Sequence, residues 1–168
     1  MKNRILSIVA AVAVFGSSAL FADSHNDVHV GASAINIYDT SGQAINIGYG
    51  GNKVWSNNIM MGLSIDFQGG NIDVPKDSEQ ESSFLGMSAD VQIGYVPFKD
   101  VTAYGIGSGL KQAFGDIGGA GFGYGAGVDY ALTKYFTLSA EYKTYSMINE
   151  VGNYDYTASG IILRYTWR

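Results

Sequence analysis

Four acids and three bases stand, one or two at a time, inside stretches that otherwise alternate apolar with small residues: Asp66, Asp90, Asp129 and Glu141 against Lys111, Lys143 and Arg164. Charges held away from water persist when they are paired and hydrogen-bonded. Such a set supports two chemistries. One is a salt-bridged plug that sets the packing of an interior. The other is a gated ion path, in which Glu141 exchanges partners between Lys143, Lys111 and Arg164. The plug is the preferred reading, because the small barrel argued for below is filled by its own side chains. His29, near the N-terminal mouth of the same interior, is a further candidate member.

Catalysis finds little to work with. Acyl transfer or hydrolysis needs a nucleophile, or an activated water, beside a general base that is often His. The two histidines, His25 and His29, lie together near the start of the barrel, whereas Ser82 and Ser83 neighbour Glu79 and Glu81 with no His to activate them. No catalytic residue, and hence no enzyme, is expected, and no cofactor. The stretch containing Asp73, Asp77, Glu79 and Glu81 offers carboxylates to a hard cation, but without the fixed spacing of a calcium loop. It reads as a solvated acidic loop, which repels anionic lipopolysaccharide from direct contact, and no metal site is assigned. The Gly-x-Gly-x-Gly run at 121–127 is followed by neither a helix nor a P-loop lysine, so it is no phosphate cradle. The chain has no cysteine, which excludes disulfides and Cys-ligated metals.

The elements that carry these residues have a period of two. On 59–68 the residues Ile59, Met61, Leu63, Ile65 and Phe67 alternate with Met60, Gly62, Ser64, Asp66 and Gln68. On 84–96 Leu85, Met87, Val91, Ile93 and Tyr95 alternate with Gly86, Ser88, Asp90, Gln92 and Gly94. On 120–130 Phe122, Tyr124, Val128 and Tyr130 alternate with four glycines and Asp129. Such alternation is a strand with two unlike faces. The same reading gives strands at 28–37, 43–50, 101–114, 136–145 and 157–167, eight in all. In the first, Val28, Val30, Ala32 and Ala34 share one parity, then Ile35 and Ile37 take the other, which suggests a bulge. On 101–114 Tyr104, Ile106 and Leu110 oppose Gly105, Gly107, Gly109 and Lys111, which places Lys111 on the polar face.

Three features put the apolar faces in lipid rather than in a protein core. Most segments run for about the 9–11 residues that cross a bilayer at a tilt. The polar faces carry Gly, Ser and a charge or two, too few charges for a surface in water. Aromatics collect near segment ends, namely Trp55, Tyr95, Phe98, Tyr104, Tyr130, Tyr135, Tyr165 and Trp167, as interfacial girdles do. The expected fold is all-β: a closed, antiparallel, eight-stranded, up-and-down transmembrane barrel. Connections 51–58, 97–100 and 131–135 would face the periplasm, and 38–42, 69–83, 115–119 and 146–156 the outside.

Residues 1–22 read as a signal peptide. Lys2 and Arg4 precede the apolar stretch 5–20, and Ala22 offers a cleavage site, although Leu20 is large for its place before the cut. That stretch, broken by Gly16, Ser17 and Ser18, is short for an anchor that needs about 20 apolar residues. The barrel domain is then 23–168, with fifteen acids against eight bases once Lys2 and Arg4 are gone, about seven net negative charges. That balance does not suit nucleic acid, which is bound by Lys and Arg.

The run Gly125-Ala-Gly-Val-Asp-Tyr-Ala-Leu-Thr133, then Leu138–Lys143, then the terminal strand Gly160–Trp167, resembles the outer membrane protein A-like barrel family. The likeness is specific over this last third and architectural before it. It implies a porin-like barrel of the Gram-negative cell outer membrane, attended by periplasmic chaperones and inserted by the barrel-assembly machinery. Two departures matter: Arg168 follows the terminal aromatic Trp167, and no peptidoglycan-binding domain accompanies the barrel, so cell-wall anchoring is not implied. The expected partners are outer-membrane lipid and lipopolysaccharide, with the protein a monomer. Its expected role is structural, in envelope integrity. The rival readings are an adhesin acting through loops 69–83 and 146–156, with Asn149, Tyr154 and Tyr156 as contacts, and a narrow pore.

Overall fold

The computed structural model describes residues 25–37, 40–72, 83–114, 117–149 and 152–167. Residues 1–22, expected to be a signal peptide, and the acidic stretch 73–82 lie outside these residues. Eight strands follow one another: β1 (His25–Ile37), β2 (Thr40–Val54), β3 (Ile59–Ile72), β4 (Ser83–Phe98), β5 (Val101–Phe114), β6 (Ile117–Ala131), β7 (Phe136–Asn149) and β8 (Asn153–Trp167). Each pairs antiparallel with the next, and β1 closes on β8 through a register running from Asn26↔Trp167 to Ile37↔Tyr156. Closure leaves no unpaired strand edge. The strands run 13 to 16 residues, longer than the alternating stretches suggest. They continue past the apolar band on residues such as Gly69 to Ile72 and Asn153 to Tyr156.

The connections Trp55–Asn58, Lys99–Asp100 and Leu132–Tyr135 share one end with both chain termini of the barrel, here called the turn end. The other four connections define the loop end. At the turn end the backbone N–H of Trp55 donates to the Ile59 carbonyl and that of Asn58 to the Trp55 carbonyl, each at 2.9 Å. Asn58 has φ 63°, a left-handed conformation that Asn tolerates well. Thr133 Oγ1 accepts from the N–H groups of Tyr135 and Phe136. Before the Lys99–Asp100 turn the β4–β5 register shifts between Tyr95 and Phe98. Pro97 falls in that irregularity, where a residue without an N–H does least harm to the ladder.

The outward rows of seven of the eight strands are apolar: Val30, Ile47, Phe67, Val91, Val128, Leu138 and Ile161 all stand exposed, with Ile45 at 63% and Leu85 at 73%. A band this large in contact with water is untenable for a folded chain, and lipid is its natural medium. No helix among the described residues is long and apolar enough to cross a membrane; the strands do the crossing. At the turn end the outward aromatics form a belt. Tyr49 and Trp167 are 6.2 Å apart, Tyr165 and Trp167 6.0 Å, and Phe136 and Tyr165 5.3 Å between ring centroids. Trp55, Tyr95, Phe98, Tyr130 and Tyr135 extend it round the same end.

Three sequence expectations are corrected here. There is no bulge in β1, whose register is unbroken against both β2 and β8. Ile35 and Ile37 simply point inward, at 1% and 9% exposure, because the loop-end half of the lumen is apolar. On β5 the faces are the reverse of those expected. Directly opposed residues of antiparallel strands point the same way, and Asp90 opposes Ser108. Ser108 therefore faces in, and with it Tyr104, Ile106, Leu110 and Gln112, while Gly105, Gly107 and Lys111 face lipid. Tyr104, expected in the aromatic belt, is instead a buried lumen residue at 5% exposure.

Candidate functional site

The lumen has two storeys. The loop-end storey is an apolar cluster of Ile35, Ile37, Ala44, Ile72, Phe84, Leu110, Tyr145, Met147, Tyr154 and Tyr156. Tyr154 and Tyr156, expected at the outer rim as contact residues, are part of this cluster and face inward; the side chain of Asn149 lies outside the described residues. Rings of Tyr145 and Tyr156 pack at 5.6 Å, and Tyr156 donates to Gln68 Oε1 at 3.3 Å.

The turn-end storey holds the charges. Arg164 on β8 donates from Nη2 to Glu141 Oε1 on β7 at 2.6 Å, from Nε to Ser139 Oγ at 2.9 Å, and from Nη1 to Asp27 Oδ1 on β1 at 3.4 Å. Lys143, two residues along β7 from Glu141, lies 2.9 Å from Glu141 Oε2 and donates to Asp90 Oδ2 on β4 at 2.5 Å. The other oxygen of Asp90 accepts from Ser108, whose hydroxyl is also 3.0 Å from that of Tyr145. His29 stands between two carboxylates, with Nδ1 2.6 Å from Asp27 and Nε2 2.7 Å from Asp66. A ring that donates from both nitrogens is an imidazolium, and that form suits this position. Ser64 completes Asp66 at 3.2 Å. Tyr104 lies 2.8 Å from Asp129 Oδ1 and 2.9 Å from Glu141 Oε1. Its one proton serves one carboxylate at a time. The chain of contacts thus runs from Asp66 through His29, Asp27, Arg164 and Glu141 to Lys143 and Asp90, with Tyr104 and Asp129 as a branch.

Glycines make the room. A Cβ on Gly127 would lie 2.5 Å from Tyr104 Cζ, one on Gly125 would press on Lys143 Cγ at 3.0 Å, and one on Gly48 would collide with His29. The alternate glycines of β6 are the trough into which long side chains of β5 and β7 fold. Between the two storeys remains a cavity of about 30 Å³, lined by Ser33, Asn46, Asp66, Gln68, Glu141 and Tyr145 among others. That is room for one or two waters.

Of the residues singled out from sequence, Asp66, Asp90, Asp129, Glu141, Lys143, Arg164 and His29 converge in one network. Lys111 does not join it: it is exposed, opposite Met87 and Ala120 on the lipid side. Asp27, Tyr104, Ser64, Ser108 and Ser139 were missed. Asp27 shares the parity of His29, and Tyr104 lies opposite a glycine on each neighbouring strand, Gly94 and Gly127; both signals are readable once register is known. Chemically the network neutralises and positions. Both nitrogens of His29 are held by carboxylates, and the Ser108 hydroxyl donates to Asp90 and lies 3.0 Å from that of Tyr145. No cluster of three or more metal-ligating side chains exists among the described residues.

The sequence matches the family model described as outer membrane protein beta-barrel domain over residues 7–168. No curated protein matches it. Among solved structures, the Neisserial surface protein A (NspA) is 12% identical, with 86% of this chain and 97% of that chain covered and a TM-score of 0.57. The attachment invasion locus protein Ail of Yersinia pestis is 13% identical with the same coverages and a TM-score of 0.56. At these identities the likeness is one of fold.

Proposed function

Since this chain belongs to the outer membrane protein beta-barrel domain family, we propose that it is a closed barrel of the cell outer membrane whose role is structural, in envelope integrity, rather than transport. The observation that carries this reading is the filled lumen. A buried ion-pair network closes the turn-end half, and Leu110, Met147 and Tyr156, at 0% exposure, close the loop-end half. An apolar constriction excludes ions by dewetting, and the cavity beside it, about 30 Å³, holds no more than one or two waters. In this reading residues 1–22 direct export of the chain in a Gram-negative cell, the barrel-assembly machinery inserts it as a monomer, and the loop end faces outward. Planar-bilayer recordings of the refolded barrel are expected to be silent; resolved unitary steps from pure protein would replace the structural role with the pore.

A second reading, a surface-binding protein, is favoured by one feature. The β3–β4 connection, residues 73–82, is the longest and carries Asp73, Asp77, Glu79 and Glu81 against Lys76. The likeness to the attachment invasion locus protein agrees with it. Deleting 73–82 and measuring attachment of whole cells to host surfaces separates the two: unchanged attachment leaves the structural role.

A further inference from the structure

His29 is buried, at 4% exposure, and links β1 to β3 inside the lumen. Its Nδ1 lies 2.6 Å from Asp27 Oδ1 on its own strand, and its Nε2 lies 2.7 Å from Asp66 Oδ1 on β3. The strand between them, β2, lets the bridge pass at Gly48. A Cβ there would come within 2.2 Å of Nε2 and 2.7 Å of Asp66 Oδ1. Ionised carboxylates only accept, so these two contacts need a proton on each ring nitrogen. Arg164 on β8 is anchored by two of its nitrogens, Nη2 on Glu141 Oε1 at 2.6 Å and Nε on Ser139 Oγ at 2.9 Å. Its third nitrogen, Nη1, stands 3.4 Å from Asp27 Oδ1 and 3.4 Å from His29 Nδ1.

These distances hold two arrangements. While the ring is an imidazolium, Nδ1–H donates to Asp27, and Nη1 serves only the same carboxylate because a protonated nitrogen does not accept. When the ring gives up one proton, Nδ1 is the nitrogen that loses it. Asp66 Oδ1 has Nε2–H as its donor, whereas Asp27 Oδ1 keeps Arg164 as a second one. A bare Nδ1 also has an Nη1–H within reach. Its lone pair then faces a carboxylate oxygen at 2.6 Å with no proton between them, and that contact must open. Charged groups face the ring from β1 (Asp27), β3 (Asp66) and β8 (Arg164). Behind them stand Glu141 and Lys143 of β7 and Asp90 of β4, paired with one another and with Arg164. Among the described residues β2 sets Gly48 against the ring and no charge.

We propose that His29, Asp27 and Arg164 form a proton-operated switch in the turn-end storey. With the ring protonated, Asp27 is held and β1 is tied across β2 to β3. With Nδ1 bare, Arg164 Nη1 donates to the ring and the Nε2–H bond to Asp66 stays. Asp27, two residues from the start of β1, then turns to the water of the turn-end mouth, where the one proton is released. The folded barrel keeps a proton that a histidine of the unfolded chain has largely given up at neutral pH. The stability this contributes is complete in acid and is lost as the pH rises through release of Nδ1–H. The switch goes beyond the structural role and does not require it. The loop-end-outward reading given above sets only which compartment it senses, the periplasm.

The test uses the full barrel refolded in detergent, with histidine isotope-labelled at its ring nitrogens. His25 and His29 are the two histidines of the chain, and His25→Gln leaves one ring to follow by nitrogen NMR. Two protonated nitrogens are expected at neutral pH, and on raising the pH Nδ1 alone should lose its proton. The carboxyl carbon of Asp27, identified by its absence in Asp27→Asn, should shift at the same midpoint, and that of Asp66 should shift less. In vesicles the urea midpoint of the wild type should fall as the pH passes that point, and His29→Gln should flatten the fall. Asp27→Asn leaves the ring one carboxylate and should release the proton at a lower pH than the wild type. A neutral ring at neutral pH, proton loss from Nε2, or an Asp27 carboxyl that does not follow the ring would each overturn the proposal. The spectra report on the unaltered His29 ring, so they decide the matter even where His29→Gln does not fold. Silence or conductance in planar bilayers bears on the structural role alone.

Discussion

The hydroxyl of Tyr104 on β5 lies 2.9 Å from Oε1 of Glu141 on β7, reaching across the floor of β6 where Gly127 leaves its ring room. This contact joins the Asp129 branch to the ion-pair chain. Tyr104→Phe keeps the ring and removes the bond, and is expected to cost about 1–3 kcal/mol because a buried carboxylate loses a donor. Gly127→Ala is expected to cost a similar amount through overlap with the ring, roughly 1–3 kcal/mol. In a Tyr104→Ala background the Gly127→Ala cost should largely vanish. Urea unfolding from lipid vesicles measures the cycle, and additive costs would contradict the packing described.

Arg164 touches Asp27, Ser139 and Glu141. Arg164→Met takes one of two cationic partners from Glu141 and from Asp27, and the barrel is expected to lose about 3–5 kcal/mol. Adding Glu141→Gln should restore part of that loss. The readout is the denaturant midpoint of the heat-modifiable folded band.

Lys111 and Lys143 are both lysines within strands, yet they face opposite media. Lys143→Met removes a partner from Asp90 and Glu141 and should destabilise by about 3–5 kcal/mol. Lys111→Met should be neutral or slightly stabilising, since a lipid-facing lysine costs roughly 0–4 kcal/mol depending on depth. Spin labels give the same answer independently: a label at position 111 should collide with lipid-borne relaxants and one at Leu110 should not. Equal accessibility would refute the assigned β5 faces.

Leu110 and Met147 are fully buried in the loop-end cluster. Leu110→Ala is expected to cost about 2–5 kcal/mol, and the double variant with Met147→Ala should still be electrically silent in planar bilayers, because the ion-pair storey remains. Conductance appearing in the double variant alone would place the whole barrier in the apolar storey.

The two tryptophans, Trp55 and Trp167, both stand at the turn end. Their fluorescence in vesicles should be quenched most by bromines near the headgroups and least by bromines at the chain ends. Maximal quenching at mid-bilayer would contradict the aromatic belt.

The number of strands, their antiparallel order and the identity of most lumen charges were legible in the chain itself. Period-two alternation is a local property, and on 59–68, 84–96 and 120–130 one face was so much more apolar than the other that the medium each face meets followed directly. Alternation divides a strand into two sets without saying which set faces in. Where both sets were apolar or small, as with Tyr104, Ile106 and Leu110 against three glycines on β5, the register with Asp90 on β4 and Asp129 on β6 made the choice. That register is a long-range hydrogen-bond pairing, and it sent Tyr104 inward and Lys111 to lipid against expectation. The same holds for Ile35, Ile37, Tyr154 and Tyr156, whose inward direction depends on an apolar upper storey that exists only once strands from all round the barrel meet. Composition and periodicity determined what each strand is made of; closure of the sheet decided what each side chain touches, because contact across a lumen is made between residues that sequence distance does not relate.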